Sequence, residues 1–282
     1  MRLTILAFIL TFFRIPAFGQ TVDYIEILSQ YSLYDTIEYS LPDFTYQSDK
    51  SIDCQNLRHK YNLDSIAGIG DEFDKQINLL EWVNHSFRHN GNEPLPSKIS
   101  ADSLVILGQN NGLNCGGLAI ILNSAYLSLG YKSRFITCLN NDSTFNDPHS
   151  LTIVFSNHYS KWIMVDPTYC AYFIDERDIP LSIEEIRYRL ANGQKVQLNN
   201  EFNLNSVSTS ANKTNHYYSY ITRNMFRFIS PIHNRLDYDL DCLEYVHLIP
   251  KGFKLDGIHL GSMNVEGCSK IHCIDNPRQF WK

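Results

Sequence analysis

The stretch Gly112-Leu113-Asn114-Cys115-Gly116-Gly117-Leu118-Ala119 places a cysteine at the start of a predicted helix. Apolar residues recur at three- and four-residue steps over residues 118–129, which predicts a helix that ends at Gly130. Asn114 is a residue type that favours the N-cap position. Cys115 then lies in the first turn, where unpaired N–H groups and the helix dipole stabilise a thiolate and an oxyanion. The alternative is a buried structural cysteine.

Two strand-like runs after this helix bring a histidine and a carboxylate together. Residues 149–155 and 161–165 are rich in Ile, Val, Phe and Thr, and the turn-like residues between them predict an antiparallel hairpin. If the hairpin is centred between positions 157 and 158, His149 directly faces Asp166, with Cβ atoms about 5 Å apart. That separation suits a hydrogen bond that fixes the histidine tautomer.

Together with the cysteine, this pair forms a pattern of nucleophilic catalysis. His149 takes the proton of Cys115, and Asp166 orients the imidazole ring. Taken singly, His149 is equally explained as a strand-edge histidine, and Asp166 as the start of an ordinary Asp-Pro turn. Their joint occurrence favours a catalytic triad of Cys115, His149 and Asp166.

Three motifs in this part of the chain resemble those of the transglutaminase-like superfamily. Residues 112–119 resemble its nucleophile helix, residues 149–154 its histidine strand and residues 161–168 its aspartate strand. The order is Cys, His, Asp, at spacings of 34 and 17 residues, and the resemblance covers about residues 70–190. It implies an α+β, papain-like core in which the nucleophile helix packs on an antiparallel sheet. It also implies acyl transfer through a thioester, to water in a hydrolase or to an amine in a crosslinking transglutaminase.

Further candidate site residues precede or flank the thiol. In several members of the superfamily that the chain resembles, a tryptophan upstream of the cysteine assists the oxyanion, which makes Trp82 a candidate. Trp82 lies on a helix that we expect to run from near Asp71 to Asn90-Gly91, and the alternative is a core tryptophan. The candidates for the oxyanion pocket and the cleft are Trp82, Gln109, Asn110, Asn114 and Gly116.

The chain divides into four predicted segments. Residues 1–19 have a positive start, a short apolar run and Ala-Phe-Gly before the expected cleavage point, which predicts a signal peptide; the alternative is an uncleaved anchor. We expect an N-terminal extension at 20–65, the transglutaminase-like catalytic core at 66–195, and a β-rich C-terminal extension or small separate domain at 196–282. The protein is thus expected to be exported to the periplasm, the cell surface or the medium, with no membrane span after cleavage.

Other local patterns predict individual elements. Residues 91–113 contain two prolines and are expected to form a loop that shapes the cleft. Residues 183–191 have a helical pattern before Asn192-Gly193. The remaining strand-like runs are at 134–139, 226–229 and 245–249.

Composition narrows the partners. The formal net charge of -6 provides no basic surface for nucleic acid. His85 and His89 stand four residues apart on a predicted helix, but no third ligand accompanies them, so no metal site and no cofactor are predicted. We expect a protein or peptide substrate, and the oligomeric state is left open. The leading hypothesis is a thiol-dependent peptidase or amidase; the alternatives are a crosslinking transglutaminase and a non-catalytic exported binding or scaffold protein with the same fold.

Overall fold

A computed structural model describes residues 23–142, 147–200, 211–239, 243–254, 260–264 and 269–282. The predicted signal peptide at 1–19 lies outside the described residues, as do Cys242 and Cys268. The helices within these ranges are α1 (Tyr24–Gln30), α2 (Ile52–Lys60), α3 (Leu63–Ala67), α4 (Glu72–Ser86), α5 (Ala101–Asn111), α6 (Cys115–Ser128), α7 (Ile183–Ala191), α8 (Ala211–Asn224) and α9 (Pro277–Phe280). In the part of the chain that the structure describes, no helix is long and apolar enough to cross a bilayer.

Most of the strands belong to one large sheet. The strands are β1 (Thr45–Tyr46), β2 (Lys98–Ser100), β3 (Ser133–Leu139), β4 (His149–Ser156), β5 (Lys161–Val165), β6 (Phe173–Ile174), β7 (Gln197–Leu198), β8 (Arg227–Pro231), β9 (His233–Asn234), β10 (Asp237–Asp239), β11 (Glu244–Leu248), β12 (Gly261–Asn264) and β13 (Lys270–Ile274). Seven of them form a sheet in the order β12-β13-β11-β8-β3-β4-β5. The expected α+β class is confirmed, and the sheet is antiparallel except for the parallel pair β11–β13.

Helix α6 lies at the centre of the fold rather than on its surface. The sequence pattern indicated one apolar face, but every residue from Gly116 to Ser128 is buried. One side of α6 packs on β4, where the Thr152 hydroxyl donates to the carbonyl oxygen of Ala119 at 3.0 Å. Helices α2, α4 and α5 cover its remaining sides. Helix α6 is therefore held from all directions, which fixes the position of its first turn.

Helix α4 ends earlier than the sequence pattern predicted. It begins after Asp71, whose side chain forms a capping box with Asp74, and it ends at Ser86 instead of Asn90-Gly91. The chain turns into extended backbone there because the next residues pair with Leu113: its N–H donates to the carbonyl of Arg88 at 2.9 Å, and its carbonyl accepts from the N–H of Asn90 at 2.7 Å. This pairing brings the end of α4 beside the start of α6.

The expected loop at 91–113 is wrong for residues 98–111, because β2 and α5 occupy them. Ser100 caps α5 through a reciprocal pair of hydrogen bonds with Ser103. The helix ends at Gly112, which has φ +77, and a Cβ there would lie 2.5 Å from the carbonyl oxygen of Arg88. Only glycine accommodates both the left-handed backbone and this contact.

Strands β4 and β5 form the expected hairpin in a different register. Ser156 pairs with Lys161, so the turn spans 157–160 and is centred one position later than expected. The expectation that His149 directly faces Asp166 is therefore wrong by two residues. Because side chains alternate between sheet faces, a shift of two keeps both residues on the same face, as diagonal neighbours.

Candidate active site

Cys115 is the first residue of α6, and the preceding residue caps the helix as predicted. The Asn114 side-chain oxygen accepts from the N–H of Gly117 at 3.0 Å, and its amide nitrogen donates to the carbonyl of Glu93 at 2.9 Å. These two bonds fix the helix start against the segment that follows α4. As a residue, Cys115 is neither fully buried nor fully exposed.

The two glycines after the cysteine allow close packing over the first turn. A Cβ on Gly116 would lie 3.1 Å from Cδ1 of Leu95, and one on Gly117 would lie 3.0 Å from Cδ2 of Leu113. Each glycine costs about 1 kcal/mol of helix stability relative to alanine. Their presence is explained by the apolar side chains that cover this turn.

His149 and Asp166 form a short, buried hydrogen bond. His149 is the first residue of β4, Asp166 follows β5, and Nε2 of the ring lies 2.6 Å from Oδ2 of the carboxylate. The side chains are 1% and 0% exposed. The other carboxylate oxygen, Oδ1, accepts from the N–H of Thr168 at 3.0 Å. Asn84 of α4 donates to the carbonyls of Pro167 and Thr168 and so holds the turn that carries the carboxylate.

The Cys115 thiol and the His149 imidazole influence each other, and their pKa values move in opposite directions. Burial by itself raises the pKa of the Cys115 thiol, but the hydrogen bond and charge of His149 and the N–H of Ser150 outweigh it, so the pKa is lowered. Burial by itself lowers the pKa of His149, but the charge and hydrogen bond of Asp166, followed by those of Cys115, raise it. A lowered thiol pKa beside a raised imidazole pKa favours a thiolate–imidazolium pair.

Three tyrosines that the sequence patterns did not indicate surround the imidazole and the carboxylate. The rings of Tyr169 and Tyr220 lie 5.8 and 5.2 Å from the His149 ring, centroid to centroid. The hydroxyl of Tyr217 donates to Oδ2 of Asp166 at 3.0 Å. Tyr217 and Tyr220 belong to α8, which the sequence reading missed. The available signal was a helical spacing of the buried residues 217 and 221.

The remaining candidates lie in different surroundings. Trp82 packs edge-on against Phe87 and beside Tyr61, with centroid distances of 5.9 and 6.4 Å, which is the environment of a core tryptophan. Gln109 and Asn110 are exposed at the end of α5. These three residues have no contact with the thiol among the interactions that the structure describes.

One histidine of the predicted helical pair lies near the site. Burial lowers the pKa of His89, and the charge of His149 lowers it further, which places the His89 ring within electrostatic range of the imidazole. Its predicted partner, His85, is exposed. Within the described ranges, no group of three or more His, Cys, Asp or Glu side chains is arranged to hold a metal ion.

Residues 60–167 match the sequence model of the transglutaminase-like superfamily. The resemblance inferred from the three motifs is thus confirmed. No curated protein matches the chain. A solved structure described as "a Putative Cysteine Protease from Cytophaga hutchinsonii" is similar with 13% identity and a TM-score of 0.36, over 61% of this chain and 58% of that one. The chain therefore spans less than two thirds of that relative. The family match supports cysteine-dependent enzyme chemistry in general.

Proposed function

We propose that the protein hydrolyses peptide or amide bonds with Cys115 as nucleophile, His149 as acid and base, and Asp166 as the residue that orients the imidazole. The observation that carries this proposal is the buried His149–Asp166 hydrogen bond of 2.6 Å beside a thiol at a helix N-terminus, where the imidazole lowers the pKa of that thiol. Each of the three groups is needed in this position for thiol catalysis.

The proposed reaction proceeds through a thioester. The thiolate attacks the carbonyl carbon of the substrate, and the resulting oxyanion is bound by backbone N–H groups at the start of α6. Because the cap uses the N–H of Gly117, we assign this role to the N–H groups of Cys115 and Gly116. The imidazolium of His149 protonates the leaving nitrogen, and the carbon–nitrogen bond breaks. Neutral His149 then takes a proton from water, whose oxygen attacks the thioester; the carbon–sulfur bond breaks, a carboxylic acid is released, and the thiolate–imidazolium pair is restored.

We further propose that the substrate is a peptide or protein met outside the cytoplasm, since the predicted signal peptide would export the chain. The domain boundaries predicted from the sequence are kept as part of this proposal. Residues 196–282 nevertheless contribute β8, β11 and β13 to the sheet that carries His149, so we expect the C-terminal segment to be required for activity.

Alkylation with iodoacetamide tests the nucleophile. We expect Cys115 to be labelled well below the pH at which an ordinary thiol ionises, and His149→Ala to slow the labelling. The buried thiols of Cys54 and Cys138, whose pKa values are raised by burial, serve as internal controls that should not react. An inert Cys115 in the native protein would refute the enzymatic proposal and favour a binding or scaffold role.

A second experiment separates hydrolysis from transfer. Glutamine-containing peptides are incubated with the protein in the presence and absence of a fluorescent primary amine. Release of ammonia or of a new amino terminus, without incorporation of the amine, is expected for a hydrolase. Incorporation of the amine would instead identify a crosslinking enzyme, and the Cys115→Ala variant is the control for both products.

A further inference from the structure

The carboxylate of Asp166 accepts hydrogen bonds from three directions. Oδ2 accepts from His149 at 2.6 Å and from the hydroxyl of Tyr217 at 3.0 Å, and Oδ1 accepts from the N–H of Thr168 at 3.0 Å. Asp166 and Tyr217 are both 0% exposed. A hydroxyl and an imidazole therefore share one oxygen atom in a site from which water is excluded.

Tyr217 comes from a part of the chain that the superfamily match does not cover. The match ends at residue 167, whereas Tyr217 lies on α8, 51 residues after Asp166. Its ring packs against Tyr169 at 4.4 Å and is stacked with Phe173 at 6.1 Å, centroid to centroid. An ion pair between Arg223 of the same helix and Asp147 ties α8 to the segment just before His149. The hydroxyl is thus held rigidly at the carboxylate.

We propose that Tyr217 is a positioning residue, which fixes the carboxylate of Asp166 so that Oδ2 points at Nε2 of His149; this role rests on the proposed function. A carboxylate rotates about the bond to its Cβ unless both oxygens are held. The N–H of Thr168 holds one oxygen, and the Tyr217 hydroxyl holds the other. The lone pair that remains on Oδ2 is then directed at the ring, and the ring at the thiol.

The titratable groups around the Asp166 carboxylate determine what a pH profile of Cys115 labelling reports. Besides Tyr217, the titratable side chains that face it or interact with it electrostatically are His89, Cys115, Cys138, His149, Tyr169 and Tyr220. Burial raises the pKa values of the tyrosines and of Cys138, and it lowers that of His89, so these groups stay neutral near pH 7. A pH profile of Cys115 reactivity therefore reports on the thiol and His149.

The test is the substitution Tyr217→Phe in the full chain, with the rate of iodoacetamide labelling of Cys115 measured from about pH 5 to about pH 9. We expect the midpoint of the profile to move upward and the rate at pH about 6 to fall about threefold to tenfold, since one charge-assisted hydrogen bond is lost. The matched control is Tyr218→Phe on the same helix. Its hydroxyl bonds Leu198 and Val196 instead of the site, so this variant should keep the wild-type profile.

The Asp166→Asn variant distinguishes the two proposals. If it leaves the profile unchanged, the proposed triad fails. If it shifts the profile while folded Tyr217→Phe does not, only the role of Tyr217 is refuted. In the double variant we expect no shift beyond that of Asp166→Asn, because the tyrosine acts through the aspartate.

The wild-type protein provides a measurement that does not depend on folding of a variant. Proton NMR should show a protected Tyr217 hydroxyl proton with a cross-peak to the His149 Nε2–H proton. Absence of both signals from a folded sample would overturn the proposal, because the two donors would then not share one oxygen.

Discussion

The replacement Asn114→Ala tests whether the start of α6 makes the thiol reactive. Asn114 accepts from the N–H of Gly117 at 3.0 Å and donates to the carbonyl of Glu93 at 2.9 Å. Alanine removes both bonds and leaves the cysteine itself unchanged. The first turn then loses its cap and its tie to the preceding segment.

The expected loss of stability in Asn114→Ala follows from the two lost hydrogen bonds. Loss of an N-cap side chain costs about 1 kcal/mol, and loss of the donor to a partly buried carbonyl costs about 1 kcal/mol more. We therefore expect the free energy of unfolding to fall by about 2 kcal/mol and the melting temperature by roughly 5 °C. Asn114→Ser retains an acceptor for the cap but is too short to reach Glu93, so it should lose about half as much.

Reactivity is measured as the labelling rate of Cys115, alongside urea unfolding. A frayed first turn withdraws its N–H groups from the thiolate, an interaction of up to about 1 kcal/mol, so labelling below neutral pH should slow by about fivefold. The matched control is Ser182→Ala, which removes the corresponding cap of α7, where Ser182 accepts from the N–H of Glu185 at 3.1 Å. That variant should lose about 1 kcal/mol of stability and label normally.

The comparison with Ser182→Ala shows whether the cap of α6 affects the reactivity of Cys115 specifically. If Asn114→Ala is destabilised as expected but labels as fast as Ser182→Ala, the helix N-terminus does not stabilise the thiolate. The lowered pKa of Cys115 would then rest on His149 and the N–H of Ser150 alone.

Two further predictions concern a glycine and the pH range of the site. Gly112→Ala should destabilise the protein by about 3 kcal/mol or more, measured by urea unfolding, because the new Cβ would collide with the carbonyl of Arg88. The control is Gly193→Ala, which should cost only about 1 kcal/mol, since Gly193 has a positive φ but open space around it. Equal losses in the two variants would contradict the steric explanation. The thiolate–imidazolium pair is expected above the lowered pKa of Cys115 and below the raised pKa of His149, so initial hydrolysis rates should form a plateau between these two pH limits. His149→Gln should move the acid pH limit for labelling of Cys115 upward. An unmoved acid limit would contradict the pairing.

Elements whose signals are local were predictable from the sequence. Strand β5 and helix α7 have the predicted bounds, and Asn114 caps α6 as expected. The α7 signal was complete within a dozen residues, with a Ser182–Glu185 capping box at one end and Asn192-Gly193 at the other. Such patterns need no knowledge of distant partners.

Helix α5 was missed because its stabilising contacts are distant in sequence. Its cap pairs Ser100 with Ser103 instead of the Glu or Gln that marks a typical capping box. Gly108 interrupts its pattern, yet glycine is needed there, since a Cβ would lie 2.8 Å from Phe87 and 2.9 Å from Leu113. The residue that weakens the helical signal is thus the one that lets the helix pack closely against Phe87 and Leu113.

The hairpin register was beyond a sequence argument for a similar reason. The turn closes with Ser160 at φ +54, a left-handed conformation that a non-glycine residue rarely adopts and that no local signal marked. Because side chains alternate between the two faces of a strand, a shift of two residues leaves His149 and Asp166 on the same face. The prediction that these two side chains lie close together is therefore unaffected by the register error.

The sequence separation between contacting residues explains which parts of the site could be predicted. His149 and Asp166 are 17 residues apart within one hairpin, so an antiparallel pairing suffices to bring them together. Tyr217 reaches the same carboxylate from 51 residues away, on a helix whose only sequence signal was the spacing of residues 217 and 221 after a segment rich in Asn, Ser and Thr. The residues of the predicted triad thus lie on α6 and at the ends of the β4–β5 hairpin, within the matched segment, while a further side-chain donor to Asp166 comes from α8, outside it. A sequence motif can therefore indicate candidates such as Cys115 and His149, but it does not contain the helix that supplies this hydrogen bond to Asp166.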